Sequence, residues 1–292
     1  MSLRFTIRLV RLACMAGLFC LVSGLHAHEF WFAPIASPQA VGNTVTLRLD
    51  VGEFFNGDAA GFSIPSTKAL RHFTAKGQED LRPFLPAQER ESEVALTLET
   101  PGTHLLAYDS TPLRITLEAG KFQAYLHDEG LDFVKAQRER AGTADQPGRE
   151  RYRRHIKTLI AVGPESATAE AQDLSYAHHT GQRLEITPLR NPLVYAPDGA
   201  LPLRIEFDNK PLAGALVKAW HKYKGQLLII RATTSAQGLV EFNLPYAGDW
   251  MVSVVHMIPA VEDGEVGTVG AEPVDWDSFW GNLSFHISSM RR

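Results

Sequence analysis

The chain of 292 residues has only two cysteines, Cys14 and Cys20, both within its first 27 positions. From residue 28 onward it is thiol-free, which excludes a disulfide scaffold, a four-cysteine zinc module and thiolate nucleophile chemistry. No period of 20–50 residues recurs, which argues against solenoids and propellers. Gly-rich phosphate loops, a Gly-x-Ser-x-Gly elbow and a His-Glu-x-x-His pair are all missing, and nothing local supports a Ser/His/Asp triad. A pI near 6.3 leaves no footprint for nonspecific nucleic-acid binding. With 21% charged residues and a mean hydropathy of −0.12, the chain is neither mainly disordered nor a polytopic membrane protein.

What is present begins with the N-terminus. Arg4, Arg8 and Arg11 precede an apolar run from Leu12 to Val22, too short for a comfortable membrane span, and Leu25-His26-Ala27 offers a small residue before a cut. Residues 1–27 therefore read as a secretory signal peptide cleaved after Ala27, the rival being an uncleaved anchor. The bulky Leu18-Phe19 before Cys20 argues against a lipoprotein. Cleavage removes both cysteines and takes the formal charge from −4 to −7, with 26 basic residues against 33 acidic. The expected product is a periplasmic protein, moderately acidic, with ten of the eleven histidines and no stable membrane span.

Past the signal, short period-two segments punctuated by Gly and Pro predict a mainly β fold. Residues 28–118 read as an N-terminal β-sandwich, with strands at 44–49, 94–98, 104–108 and 113–117 and a long irregular stretch over 52–90. Residues 119–180 read as a helical segment and linker. There Phe122, Tyr125 and Leu126 mark one helix stopped at Glu129-Gly130, and Tyr152, Ile156 and Leu159 mark another over 149–159. Its basic run, Arg149 to Lys157 with His155, reads as a solvated helix face. Residues 181–292 read as a C-terminal immunoglobulin-like sandwich of seven strands. The expected architecture is two β-sandwich domains around a short helical segment.

In a thiol-free exported chain, histidine and carboxylate are the main metal ligands on offer. Cleavage after Ala27 makes His28 the first residue, so its free α-amine and its imidazole can chelate one ion. A second histidine would complete a three-nitrogen set that favours copper, with nickel next. His256, at the end of an apolar strand and beside Met257, is the first choice of partner, and His221 and His104 are further candidates at strand ends. The competing reading of each is a histidine satisfied by backbone or water, and of His28 a frayed terminus. His178-His179 forms a weaker second candidate in a polar loop. Asp50, Glu53 and Asp58 do not match a calcium loop, and Asn282-Leu283-Ser284 is a common sequon. Trp220, Tyr223, Trp276, Phe279 and Trp280 are either a docking platform or core packing.

Several segments together carry a family resemblance. They are His26-Ala27-His28-Glu29-Phe30-Trp31, Val51-Gly52-Glu53-Phe54-Phe55, Phe122-Gln123-Ala124-Tyr125-Leu126, Val255-His256-Met257 and Asp275-Trp276-Asp277-Ser278-Phe279-Trp280. In this order they resemble a bacterial periplasmic domain-of-unknown-function family often labelled nickel-uptake-associated. The resemblance implies an exported metal-binding or metal-delivery protein working beside a nickel or cobalt transporter, with His28 and His256 as ligand candidates. The leading expectation is a non-enzymatic carrier of nickel or copper that hands its ion to a membrane transporter. The rivals are a metal-free binding or adhesion module and a copper oxygenase.

Overall fold

A computed structural model describes residues 28–88, 93–164, 173–194, 200–261 and 273–288. The signal-peptide reading of 1–27 lies outside the described residues. Among the described residues, seventeen strands and two α-helices follow one another. β1 (Glu29–Phe32), β2 (Thr44–Glu53), β3 (Asn56–Ala60), β4 (Thr67–Thr74), β5 (Gly77–Asp80), β6 (Glu93–Thr97), β7 (Gly102–Ser110) and β8 (Leu113–Leu117) lead to α1 (Ala119–Asp128) and α2 (Asp132–Arg140). β9 (Gly148–Val162), β10 (Leu184–Pro188), β11 (Ala200–Phe207), β12 (Lys210–Pro211), β13 (Leu216–Tyr223), β14 (Gln226–Thr233), β15 (Leu239–Asn243), β16 (Gly248–Pro259) and β17 (Trp276–Ile287) complete the chain.

The strands make three layers. The central one is a nine-stranded sheet in the order β14-β13-β16-β17-β9-β7-β4-β5, with β8 also paired to β9. One face is covered by β10, β11, β12 and β15, the other by β1, β2, β3 and β6 together with the helices. Strand alternation accounts for both cores. On β7, Leu105 and Ala107 enter the core shared with β10 and β11, while Leu106 and Tyr108 enter the one shared with β1 and β2. The protein is thus mainly β with two sandwich cores, and both are backed onto one shared sheet.

The joining strand is β9, and it corrects the helical reading of 149–159. It pairs parallel with β17 and antiparallel with β7 and β8. Tyr152, Ile156 and Ile160 recur every four residues, a spacing that suits a helix face and equally one face of a strand. From Arg153 to Lys157 its basic residues are buried rather than solvated, while Arg149 stays part-exposed in its pair with Asp275. Arg153 reaches Asp277, Lys157 reaches Glu185, and His155 Nδ1 lies 2.7 Å from Asp109 Oδ1, each side chain buried. These partners sit far off in sequence, so no local pattern announced them.

The stretch 52–90 is likewise more regular than expected, since it holds β3, β4 and β5. The helix at 119–128 and its stop at Gly130, at φ +70°, agree with the sequence reading, with α2 following as a separate helix. Trp220, Trp276, Phe279 and Trp280 are buried, so these four are core and form no docking platform; the Tyr223 side chain lies outside the described residues. Asn282 of the sequon is buried in β17.

Candidate functional site

β1 lies antiparallel to β2, with Glu29 opposite Gly52, which sets His28 beside Glu53. His28 Nε2 is 3.5 Å from Glu53 Oε1. The backbone there is pinned as well, because Arg154 Nη1 donates to the His28 carbonyl at 3.0 Å. Arg154 is itself buried, with its guanidinium over the rings of Phe30, Tyr152 and Trp280, and burial holds its pKa below the usual value. Trp31 and Phe32, both buried, anchor the rest of β1. His28 therefore immediately precedes a docked strand.

The β2–β3 hairpin beside it is tight. Phe54 and Phe55 both adopt φ of +54°, the left-handed region that a two-residue turn of this kind normally fills with Asn or Gly. The hairpin after β11 uses Asp208-Asn209 and the one after β13 uses Lys224-Gly225 for the same geometry. A Cβ on Gly57 would meet the Val51 carbonyl oxygen at 2.5 Å and the Trp31 ring at 2.8 Å, so the strand can close over Trp31 only with glycine there. Phe55 packs edge-on against Trp31, while Phe54 stays exposed. Two bulky residues in a sparsely populated conformation mark this turn as strained.

Between this hairpin, α1 and the β13–β14 pair lies a cleft of about 610 Å³, lined by Glu29, Glu53, Phe54, Tyr125, Glu129 and Lys218 among others. Alternation on β13 turns Lys218 and Trp220 toward it. Lys218 Nζ donates to both Glu129 carboxylate oxygens at 2.7 and 2.6 Å and lies 3.4 Å from Glu29. Ser253 Oγ donates to Glu29 Oε1 at 2.8 Å and accepts from the Trp220 indole N–H at 2.9 Å. Burial raises the Glu129 carboxyl to about 7, with Lys218 opposing and Glu29 adding to the rise. Burial also opposes charge on Lys218, but Glu29 and Glu129 outweigh it and its pKa is raised. Behind the cleft, Tyr125 stacks on Trp280 and Glu150 Oε2 accepts from Ser278 Oγ at 2.6 Å. Burial raises Glu150 to about 7 as well.

The four sequence candidates for metal binding occupy separate surroundings. On β16, Ser253 meets Glu29, whereas Val252 and Val254 face the β10–β11 layer. His256 shares their parity, so His28 and His256 sit on opposite faces of the central sheet. His256 packs on Phe207 at 4.5 Å, and burial lowers its pKa to about 4. His221 Nδ1 donates to the Asp249 carbonyl at 2.7 Å and its ring stacks on Trp250. Trp250 pairs with His221 across β16, which leaves His256 six residues further along, roughly 20 Å away. His104 is buried on β7, bonded to His72 and Thr100. His178 packs on Phe73 and His179 pairs with Glu185, so these neighbours do not converge. Among the described residues, no group of three His, Cys, Asp or Glu side chains could hold a metal ion.

Sequence reasoning missed Glu29, Glu129, Glu150 and Lys218. A lysine in a strand flanked by Val217 and Ala219 was the one available signal, because its side chain had to be buried or to lie on a solvated face.

Three β layers with a carboxylate-lined cleft beside the docked strand β1 define a sandwich protein with a cleft on one face of its shared sheet. The chain belongs to the family described as "Domain of unknown function (DUF4198)", whose model matches residues 25–258. No curated protein matches it. Among solved structures it is similar to a bacterial ice-binding adhesin, at 12% identity and a TM-score of 0.21 over 90% of this chain and 65% of that one. It is also similar to the fibronectin(III)-like modules of Clostridium thermocellum CbhA, at 8% identity and a TM-score of 0.20 over 90% and 99% of the two chains. A Salmonella alpha-2-macroglobulin is similar at 10% identity and a TM-score of 0.21, over 89% of this chain and 16% of that one. Overlaps this low carry nothing about function. No helix among the described residues is long and apolar enough to cross a membrane, which says nothing of a β-barrel.

Proposed function

We propose that the chain is an exported, non-enzymatic metal-binding protein that holds nickel or copper at the terminus created by cleavage before His28 and delivers it to a membrane transporter in the periplasm. The observation that carries this reading is the His28–Glu53 pair, at 3.5 Å through Nε2. An N-terminal histidine can close a chelate only through its α-amine and Nδ1, because Nε2 points away from its own backbone. A carboxylate at Nε2 favours the tautomer with the proton on that nitrogen and puts the ring's lone pair on Nδ1, the nitrogen of the chelate. This is the usual outer-shell arrangement of a ligating histidine. Amine and imidazole nitrogens suit copper and nickel.

The remaining coordination positions stay open to water or to an incoming ligand, which suits a carrier that must release its ion. The docking of β1 supports the reading too, since a chelate on a fixed strand loses less conformational freedom than one on a frayed end. The second nitrogen ligand expected from His256 has no place in this site, so the His28 residue alone supplies the chelate.

Nickel titration of protein beginning at His28 tests the reading. One-to-one binding is expected, weakened about 10- to 100-fold by Glu53→Gln and abolished by His28→Ala. Equal affinity in all three forms overturns it.

A further inference from the structure

A second cavity, of about 470 Å³, opens at the far edge of the central sheet, and its wall includes His72, Glu79, Glu99, Thr100 and His104. β4 and β5 pair there with His72 directly opposite Glu79, and His104 follows on the neighbouring β7. The hydrogen bonds fix where the protons of the two rings are. His104 Nε2 lies 2.8 Å from the Thr100 carbonyl oxygen, which can only accept, so this nitrogen carries the hydrogen. In the neutral ring His104 Nδ1 is then a bare acceptor. It lies 2.9 Å from His72 Nε2, which must donate to it. His72 Nδ1 is left with its lone pair, 3.9 Å from Glu79 Oε2. Both rings are buried, which disfavours the imidazolium alternative. Two electron-pair donors therefore face each other with no hydrogen to join them.

We propose that His72 Nδ1 and Glu79 form a binding site for a divalent first-row transition-metal ion, with His104 and Thr100 as positioning residues. The dimensions suit it. Metal–nitrogen and metal–oxygen bonds of about 2.1 Å let one ion reach both atoms across the present gap, and a tetrahedral angle needs a separation of roughly 3.4 Å. The Glu79 side chain, 58% exposed on an edge strand, can close that difference. One imidazole and one carboxylate select zinc, nickel or copper over calcium and magnesium, which take oxygen ligands. With two protein ligands and water in the other positions, the ion stays exchangeable. His104 itself has both ring nitrogens engaged, so its part is to hold the His72 tautomer. This site is independent of the terminal one, which lies on the same face of the sheet but beside Glu53, at the end of β2 away from its pairing with β6.

The test uses the chain carrying one extra residue before His28, which blocks the terminal chelate, so each site can fail by itself. Histidine ring nitrogens are followed by long-range ¹H–¹⁵N correlation during titration with zinc chloride. Before zinc, His72 and His104 are expected as Nε2–H tautomers. Zinc is expected to move the His72 Nδ1 resonance with one-to-one stoichiometry. Glu79→Gln, at an exposed position, is expected to weaken binding at least tenfold. His104→Gln is expected to shift His72 toward the Nδ1–H tautomer and to weaken binding with it. A His72 resonance that does not respond to zinc overturns the proposal, as does unchanged affinity in Glu79→Gln. An unchanged His72 tautomer in His104→Gln overturns the positioning role.

Discussion

Replacing Glu150 by glutamine probes the buried polar layer behind the cleft. Glu150 is 2% exposed, and its Oε2 accepts from Ser278 Oγ at 2.6 Å and from the Tyr125 hydroxyl at 3.4 Å. Burial raises its pKa from 4.5 to about 7, and the two hydroxyls only partly offset that. A raised acid stabilises the fold in its protonated form. Its contribution is complete below pH 4.5 and is lost as pH climbs through about 7. The full span is about 3 kcal/mol, most of it falling between pH 5 and pH 8. Glutamine keeps an acceptor for both hydroxyls and cannot ionise. Glu150→Gln is therefore expected to gain roughly 2–3 kcal/mol relative to wild type on going from pH 5 to pH 8. Urea unfolding followed by tryptophan fluorescence at each pH measures the difference. Parallel stability curves for the two proteins across this range refute the reasoning.

Other parts of the structure give equally direct expectations. Asp277 is buried between Arg151 and Arg153, so Asp277→Asn leaves two cations without their carboxylate and should cost roughly 3–5 kcal/mol by chemical unfolding. Phe54→Asn puts a residue that tolerates positive φ into the strained turn and should stabilise the fold by about 1 kcal/mol in the same assay. His256, held neutral by burial with a pKa of about 4, contributes stability that is complete above pH 6.5 and lost as pH falls toward 4. His256→Phe should remove up to about 3 kcal/mol of that acid dependence, and an NMR titration of the ring should show no protonation at pH 5.5. A Cβ on Gly148 would sit 2.3 Å from the Phe122 ring, so Gly148→Ala should displace α1 and lower the melting temperature by several degrees, of the order expected for a 1–3 kcal/mol overpacking.

Much of the β architecture was readable because each outer layer buries one face and so leaves a period-two pattern. The reading 113–117 coincides with β8, and 104–108 falls inside β7. β9 was not readable. Its spacing of four between Tyr152, Ile156 and Ile160 satisfies two periods at once, and its other face is charged. That face is buried only because Asp109, Glu185 and Asp277 arrive from other strands. For the same reason the single shared sheet, which depends on β9 lying parallel to β17, left no local trace. At the candidate site, His28 stood out from the cleavage pattern, but its neighbour Glu53 showed only as an acid that matched no calcium loop, because the register of β1 on β2 is a tertiary fact. The His72–Glu79 pair lay within a stretch that read as irregular.

The central claim, that the His28 residue chelates the metal with Glu53 orienting its ring, is tested most directly by electron paramagnetic resonance of copper(II). The spectrum of protein beginning at His28 is compared with that of protein carrying one additional glycine. The account predicts nitrogen couplings from the amine and the imidazole in the first protein, and loss of that spectrum in the second, whose terminal amine is displaced from the ring. Identical copper spectra and affinities in the two proteins contradict it.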